Sequence, residues 1–427
     1  MPTARLESPP RTHAPTATAS APRSFATRLA APLALAALAP LLACGGGDAE
    51  DESGSGAIKV GAIFDLTGPT SDVGTFYADG IRGYVEWLNQ NGGLDGQGRQ
   101  IELLAQDYGY KVDQAEQLYS QFVGEGAVAF MGWGTGDTEA LRGRIAEDEI
   151  PFMSASYSHV LGNPEEAPFN FLSGTSYTHQ FQIVLDWMLA AAQEAGEPAP
   201  TRIAVMHNAS PFGLSPIEQG GRDYATSLGL QLDAIEMPRG ATDFTAELTR
   251  IKNAGIRHVV FQNTSGPVAV VLRGAQSLGL DLDFACLNWC SNAVLTELAG
   301  DAAEGVLGSI LYAPPGEGVT GLDDAAAFLE SQGSSIEEKG LLFGQGWWTM
   351  GLLAEGMRRA LAASTDNSID GDDIRRALET FDDFETGGVT APVSFSPTDH
   401  RGMKGMRIFE VQEGRWTPRS GLLTATD

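Results

Sequence analysis

Two hydrophobic rhythms alternate along most of this chain. Residues 58–64, IKVGAIF, form a short apolar run, which predicts a buried strand. Between 77 and 90, Tyr77, Ile81, Tyr84, Val85 and Leu88 recur at helical spacing, and Asn91-Gly92-Gly93 supplies a helix stop. The same reading predicts strands at 101–105, 128–131 and 151–154. Helices are predicted around Ala115, Leu118, Tyr119 and Phe122, and over 138–147. The alternation then restarts. Strands fall at 203–206, 232–235, 258–261 and 284–287, with helices at 216–228, 268–278, 292–298 and through Phe244, Leu248 and Ile251. Two β-α-β-α runs predict an α/β protein of two doubly wound, parallel-sheet lobes with helices on both faces. Ligands of such sheets sit at the C-terminal strand ends, so the expected site is the cleft between the lobes.

The front of the chain breaks this rhythm. Residues 1–30 are rich in Pro, Ala, Ser and Thr and carry four arginines. An apolar stretch at 29–42 follows, too short and too interrupted by proline to span a bilayer well. Charge followed by an apolar run is the order of a secretory leader. Its end, Leu41-Leu42-Ala43-Cys44, resembles a bacterial lipobox, which implies lipidation of Cys44. The tract GGGDAEDESGSG after it suits a flexible acidic tether, over 45–57.

Composition narrows the function. With 427 residues and 43% apolar content, the chain can build two cores. Its 55 acidic against 27 basic residues argue against nucleic acid as a partner. Three cysteines and six scattered histidines, without an H-E-x-x-H or paired C-x-x-C, make a metal site improbable, and no cofactor is expected. Cys286 and Cys290 are four apart; buried inert thiols are the expectation, and a disulfide there requires an intervening turn.

The opening IKVGAIFDLTGPTSDVGTFYADGIRGYVEWLNQNGGLDGQGRQIELLAQDYGYKVDQAEQL, Ile150-Pro151-Phe152, AGDAAEGV at 299–306 and SFSPTDHRGMKGMRIFEVQEG near the end carry a resemblance. Over 58–416 the chain resembles the type I periplasmic binding proteins, specifically the branched-chain amino acid and amide group that serves ABC transporters. The resemblance implies two lobes joined by three crossovers, here near Ser173, Ser309 and Thr390, closing on a ligand about a hinge. Lobe I is then 58–173 with 310–390, and lobe II is 174–309 with 391–427.

The resemblance also implies a site. The stretch MGWGTGDTEAL lacks the Lys-Ser/Thr of a phosphate loop. Its glycines permit a sharp turn, and Asp137 or Thr138 can cap the helix that follows. Free amides at that helix start attract an anion. In the family this loop holds the ligand's carboxylate with a serine whose position here is Gly136, leaving Thr135 or Thr138 to supply a hydroxyl. Ser156 and Ser158 match positions that bind the same group, with Tyr157 between them and Trp133 as a wall of the cleft. Phe212 stands where relatives cover the ligand with an aromatic ring. Gln262, Asn263, Thr264 and Ser265 follow a buried strand and are expected to face the cleft. Amino-acid-binding members carry an acid where this chain has Asn288. A buried ammonium without an anionic partner is costly, so an α-amino acid is not expected to bind in the usual way. Asn288 suits an amide, hydroxyl or carbonyl, and Trp289 a flat or apolar ligand. One of Trp347 and Trp348 is a candidate for the cleft rim, with Thr67 and Val73 near the mouth.

The leading expectation is therefore a monomeric, lipid-anchored receptor on the extracytoplasmic side of a membrane. It passes a small carboxylate-bearing solute (amino-acid-like, amide or aromatic acid) to ABC permease subunits and needs no chemistry beyond lobe closure. A ligand sensor of the same fold is the alternative. An enzyme is disfavoured, because no G-x-S-x-G elbow occurs.

Overall fold

The computed structural model describes residues 56–425. The expected leader and Cys44 lie outside the described residues, as does most of the tether. The first half of the alternation builds β1 (Ile58–Phe64), α1 (Ser71–Gln90), β2 (Ile101–Asp107), α2 (Val112–Gly124), β3 (Ala129–Gly132), α3 (Thr135–Asp148), β4 (Phe152–Ser154) and β5 (Asn170–Phe171). Their strands form a parallel sheet in the order β2-β1-β3-β4-β5. Every β1 residue except Lys59 is buried, as expected of a strand covered on both faces.

The second run gives α4 (Tyr177–Ala195), β6 (Arg202–Asn208), α5 (Pro211–Pro216), α6 (Arg222–Ser227), β7 (Gln231–Met237), α7 (Thr245–Asn253), β8 (His258–Gln262), α8 (Ser265–Ser277), β9 (Asp283–Cys286), α9 (Ala293–Ala299) and β10 (Leu307–Ile310). In β6, Ile203 and Val205 point into one core and Ala204 and Met206 into another. The chain then returns to the first sheet through α10 (Asp323–Ser331), α11 (Ile336–Ala363) and α12 (Gly371–Leu378), and ends in β11 (Gly405–Gln412), β12 (Arg415–Pro418) and β13 (Leu423–Thr424). The second sheet runs β12-β11-β10-β9-β8-β6-β7, with β13 on β11. α11 crosses α1 so closely that a Cβ on Gly346 would lie 2.0 Å from the Tyr77 carbonyl oxygen. One on Gly80 would lie 2.1 Å from that of Phe343.

Several details differ from the sequence expectations. β11 and β12 are antiparallel additions at the sheet edge that the β-α alternation did not predict. The single helix expected at 216–228 is two, because Gln219 and Gly220 leave helical geometry and Gly220 takes a φ of 113°. Neither candidate tryptophan rims the cleft. Trp347 is buried among Tyr84, Trp87, Phe328 and Phe343, and the Trp348 indole N–H donates to the Gly321 carbonyl at 2.8 Å. Cys286 and Cys290 are buried free thiols.

Candidate functional site

The C-terminal strand ends of the two sheets supply the walls of one cavity. β1 leads to Thr70, β2 to Tyr110, β3 to Trp133, Gly134 and Thr135, and β4 to Ala155. From the second lobe come Tyr177, Phe212, Thr264 and Trp289. The cleft holds about 230 Å³ not filled by atoms, part of it open to solvent. Among the described residues, no charged side chain lines it.

Aromatic rings fill most of the gap. Trp133 and Trp289 meet edge to face with centroids 4.9 Å apart, Tyr77 packs 5.4 Å from Trp133, and Tyr157 stacks 6.1 Å from Trp289. Each indole is oriented by a hydrogen bond. Trp133 donates to the Thr70 hydroxyl at 2.8 Å, and Trp289 to the Tyr177 hydroxyl at 2.9 Å. Thr70 is in turn fixed by Asp65, whose carboxylate accepts its amide and its hydroxyl. Burial pushes the Tyr177 hydroxyl far above its usual range, so it stays neutral.

The polar part of the wall is the start of α3. Gly134 is the N-cap and has no side chain to cap with. Thr135, the first residue of the helix, places its hydroxyl 2.7 Å from that of Ser156. Asp137 is turned away from the cavity. It accepts the Tyr108 hydroxyl at 2.9 Å and lies against the Gly134 amide, and burial lifts its pKa to about 6.

The chain as a whole is similar to known proteins. Residues 57–415 match the periplasmic binding protein family. The chain belongs to that family. It is 26% identical over 258 residues to the leucine-, isoleucine-, valine-, threonine-, and alanine-binding protein of Pseudomonas aeruginosa, a match that covers 59% of this chain and 66% of that one. That span is just short of two thirds of the relative's length. Among solved structures, a branched-chain amino acid ABC transporter protein from Thermus thermophilus with bound valine superposes with a TM-score of 0.80 at 28% identity, covering 87% of this chain and 97% of that one. An ABC transporter substrate-binding protein from Aeropyrum pernix gives 0.76 at 28% identity, with the same coverage. These relatives are binding proteins rather than enzymes, and the fold is that of type I periplasmic binding proteins.

Within this periplasmic binding protein the expected site residues fall into two groups. Trp133, Thr135, Phe212 and Trp289 line the cavity, and Ser156 and Tyr157 stand directly behind it. Most of the others hold the surrounding structure together. The Thr138 hydroxyl donates to the Gly134 carbonyl at 2.6 Å. Gly136 looks across to Pro211 of the other lobe, 3.5 Å from where its Cβ would be. Ser158 lies 2.6 Å from a Glu139 carboxylate oxygen and 3.0 Å from the Gln219 amide oxygen. Gln262 donates to the Phe212 carbonyl, and Asn263 accepts from Asn208 and from the Thr264 amide. Ser265 donates to Asn292. Asn288 is buried with both side-chain polar atoms unpartnered, beside rather than in the cavity. Val73 is fully buried, and the Thr67 hydroxyl donates to Asp107.

Thr70, Tyr110 and Tyr177 are wall residues that the sequence reading did not single out. A signal existed for Tyr177: it follows Ser176, which caps α4 through the His179 amide at 3.2 Å. Tyr110 sits at a positive φ of 58° just past β2.

Proposed function

We propose that this protein is the solute receptor of an ABC importer, held to the extracytoplasmic face of a membrane by a lipid on Cys44. Its lobes close on a small carboxylate-bearing solute that is passed to permease subunits. The observation that carries the reading is the start of α3. It is a helix N-terminus whose N-cap, Gly134, has no side chain, and it is flanked by the Thr135 and Ser156 hydroxyls in a cavity lined otherwise by aromatic rings and small side chains. Such an end favours negative charge and supplies amide donors to it. The rings offer apolar faces for the rest of the solute.

The rings leave little open space between the lobes, room for about one water. A solute therefore enters by parting Trp133 from Trp289, which stand on opposite lobes. Hinged separation of the lobes does that, so capture and closure are one event.

The test is calorimetry against a panel of small carboxylates, amides, amino acids and aromatic acids, on wild type and on a Thr135→Val, Ser156→Ala double variant. Hydrogen bonds to a charged group are worth about 1.5–3 kcal/mol each, so the variant should bind a carboxylate at least about tenfold more weakly. Equal affinity in variant and wild type, or binding confined to uncharged amides, refutes the reading.

A further inference from the structure

The turn that follows β7 carries a cation beside the cavity. Pro238-Arg239-Gly240-Ala241 is closed by the Ala241 amide on the Pro238 carbonyl at 3.2 Å, and Gly240 takes the positive φ of 72° that such a turn needs. The turn leaves Arg239 exposed. Among the described residues Arg239 makes no ion pair. Its guanidinium lies over the Tyr110 ring, 5.5 Å from the centroid, and Tyr110 belongs to the other lobe. Gly109 and Tyr110 have φ of 59° and 58°. This left-handed pair sets the Tyr110 ring against the start of α3, where a Cβ on Gly134 would lie 2.9 Å from the ring's Cε2. Tyr110 and Gly134 both line the cavity. A guanidinium, a ring and a helix start thus stand in a row.

The rest of the molecule repels an anion. The chain has a formal net charge of -28. Asp107 ends β2 just before the Gly109-Tyr110 turn, and the Asp65 carboxylate holds Thr70 of the cavity wall. Arg239 offsets them locally. Its charge lies within about 10 Å of the α3 start, about one screening length at 0.1 M salt. At that range it acts on an approaching anion before any contact forms. We propose that Arg239 is a specificity-determining residue, which draws anionic solutes to the α3 start and so raises their rate of capture. It selects by charge at the entrance and adds no contact inside the cavity. The inference rests on the solute-binding reading above and deepens it: part of the preference for a negative group comes from an exposed turn rather than from the uncharged wall.

The rival role for Arg239 is to press on Tyr110 and slow release, which needs its shape as well as its charge. Stopped-flow tryptophan fluorescence separates the two, with benzoate, isovalerate and 2-hydroxyisovalerate as probes. In about 20 mM salt, Arg239→Gln should lower the association rate about two- to tenfold, with the dissociation rate within about twofold of wild type. Arg239→Lys keeps the charge without the flat guanidinium and should associate like wild type. In about 0.5 M salt the three proteins should converge, because screening then acts over only a few Å. An association rate unchanged in Arg239→Gln at low salt, an effect confined to dissociation, or Arg239→Lys behaving like Arg239→Gln overturns the inference and leaves the solute-binding reading standing. Wild type that binds none of the three acids overturns both.

Discussion

The perturbation with the clearest expected size is the removal of the charge on Asp137. Its carboxyl is buried at the start of α3, and its pKa is lifted from 3.8 to about 6. Burial is the main cause; the Tyr108 hydroxyl and nearby amides pull the other way, and the charge of Asp65 adds to the rise. The folded state therefore holds a proton over a pH range in which the unfolded chain has lost it. Stability contributed by this group is full below about pH 4, falls as pH rises through about 6, and is level above that. The shift of roughly two units corresponds to about 3 kcal/mol at 1.36 kcal/mol per unit. Asp137→Asn abolishes the ionisation. Its amide oxygen still accepts from Tyr108, but its NH2 cannot accept a backbone amide proton as a carboxylate oxygen can, which costs about 1 kcal/mol. The variant should thus be about 2 kcal/mol more stable than wild type at pH 7.5 and no more stable, or slightly less, at pH 4. Urea melts of both proteins at pH 4, 5, 6 and 7.5 measure this. A wild-type-to-variant difference that does not change across the series refutes the reasoning.

The other predictions concern helix packing, the anion end and the closure contacts. Gly346→Ala places a methyl against the Tyr77 carbonyl where α1 and α11 cross, and should lower stability by about 1–3 kcal/mol or more in urea melts. Gly136→Ser adds a hydroxyl at the α3 start, with its nearest neighbour, Pro211, 3.5 Å from the new Cβ; carboxylate affinity should rise severalfold in calorimetry with no loss of stability. Gln219 reaches from the second lobe to Ser158, Glu139 and the Val160 amide. Gln219→Ala should speed ligand release about tenfold in stopped-flow and shift small-angle scattering toward a more open form.

Strand positions were legible from the chain because a parallel strand buried on both faces is a run of apolar residues with few alternatives. Helix starts were less so. α1 begins at Ser71 rather than at Tyr77, and α3 at Thr135 rather than Thr138, because first turns are built from small and polar residues without hydrophobic rhythm. The break at Gln219 and Gly220 follows the same logic: one glycine inside a periodic stretch does not announce a positive φ. For the site, strand ends locate the cavity, and the family resemblance singled out Trp133, Thr135, Phe212 and Trp289 as candidates for its walls. What each polar group bonds to could not be, since the partners come from the other lobe or from distant turns. Ser158 meets Gln219 across 61 residues, Trp289 meets Tyr177 across 112, and Asp72 meets Gly266 across 194. A sequence shows where a familiar group is missing, as at Gly136 and Asn288. Which groups stand near those positions is decided by how the two lobes meet. In this protein an acid of the first lobe, Asp72, accepts the Gly266 amide at a helix start of the second.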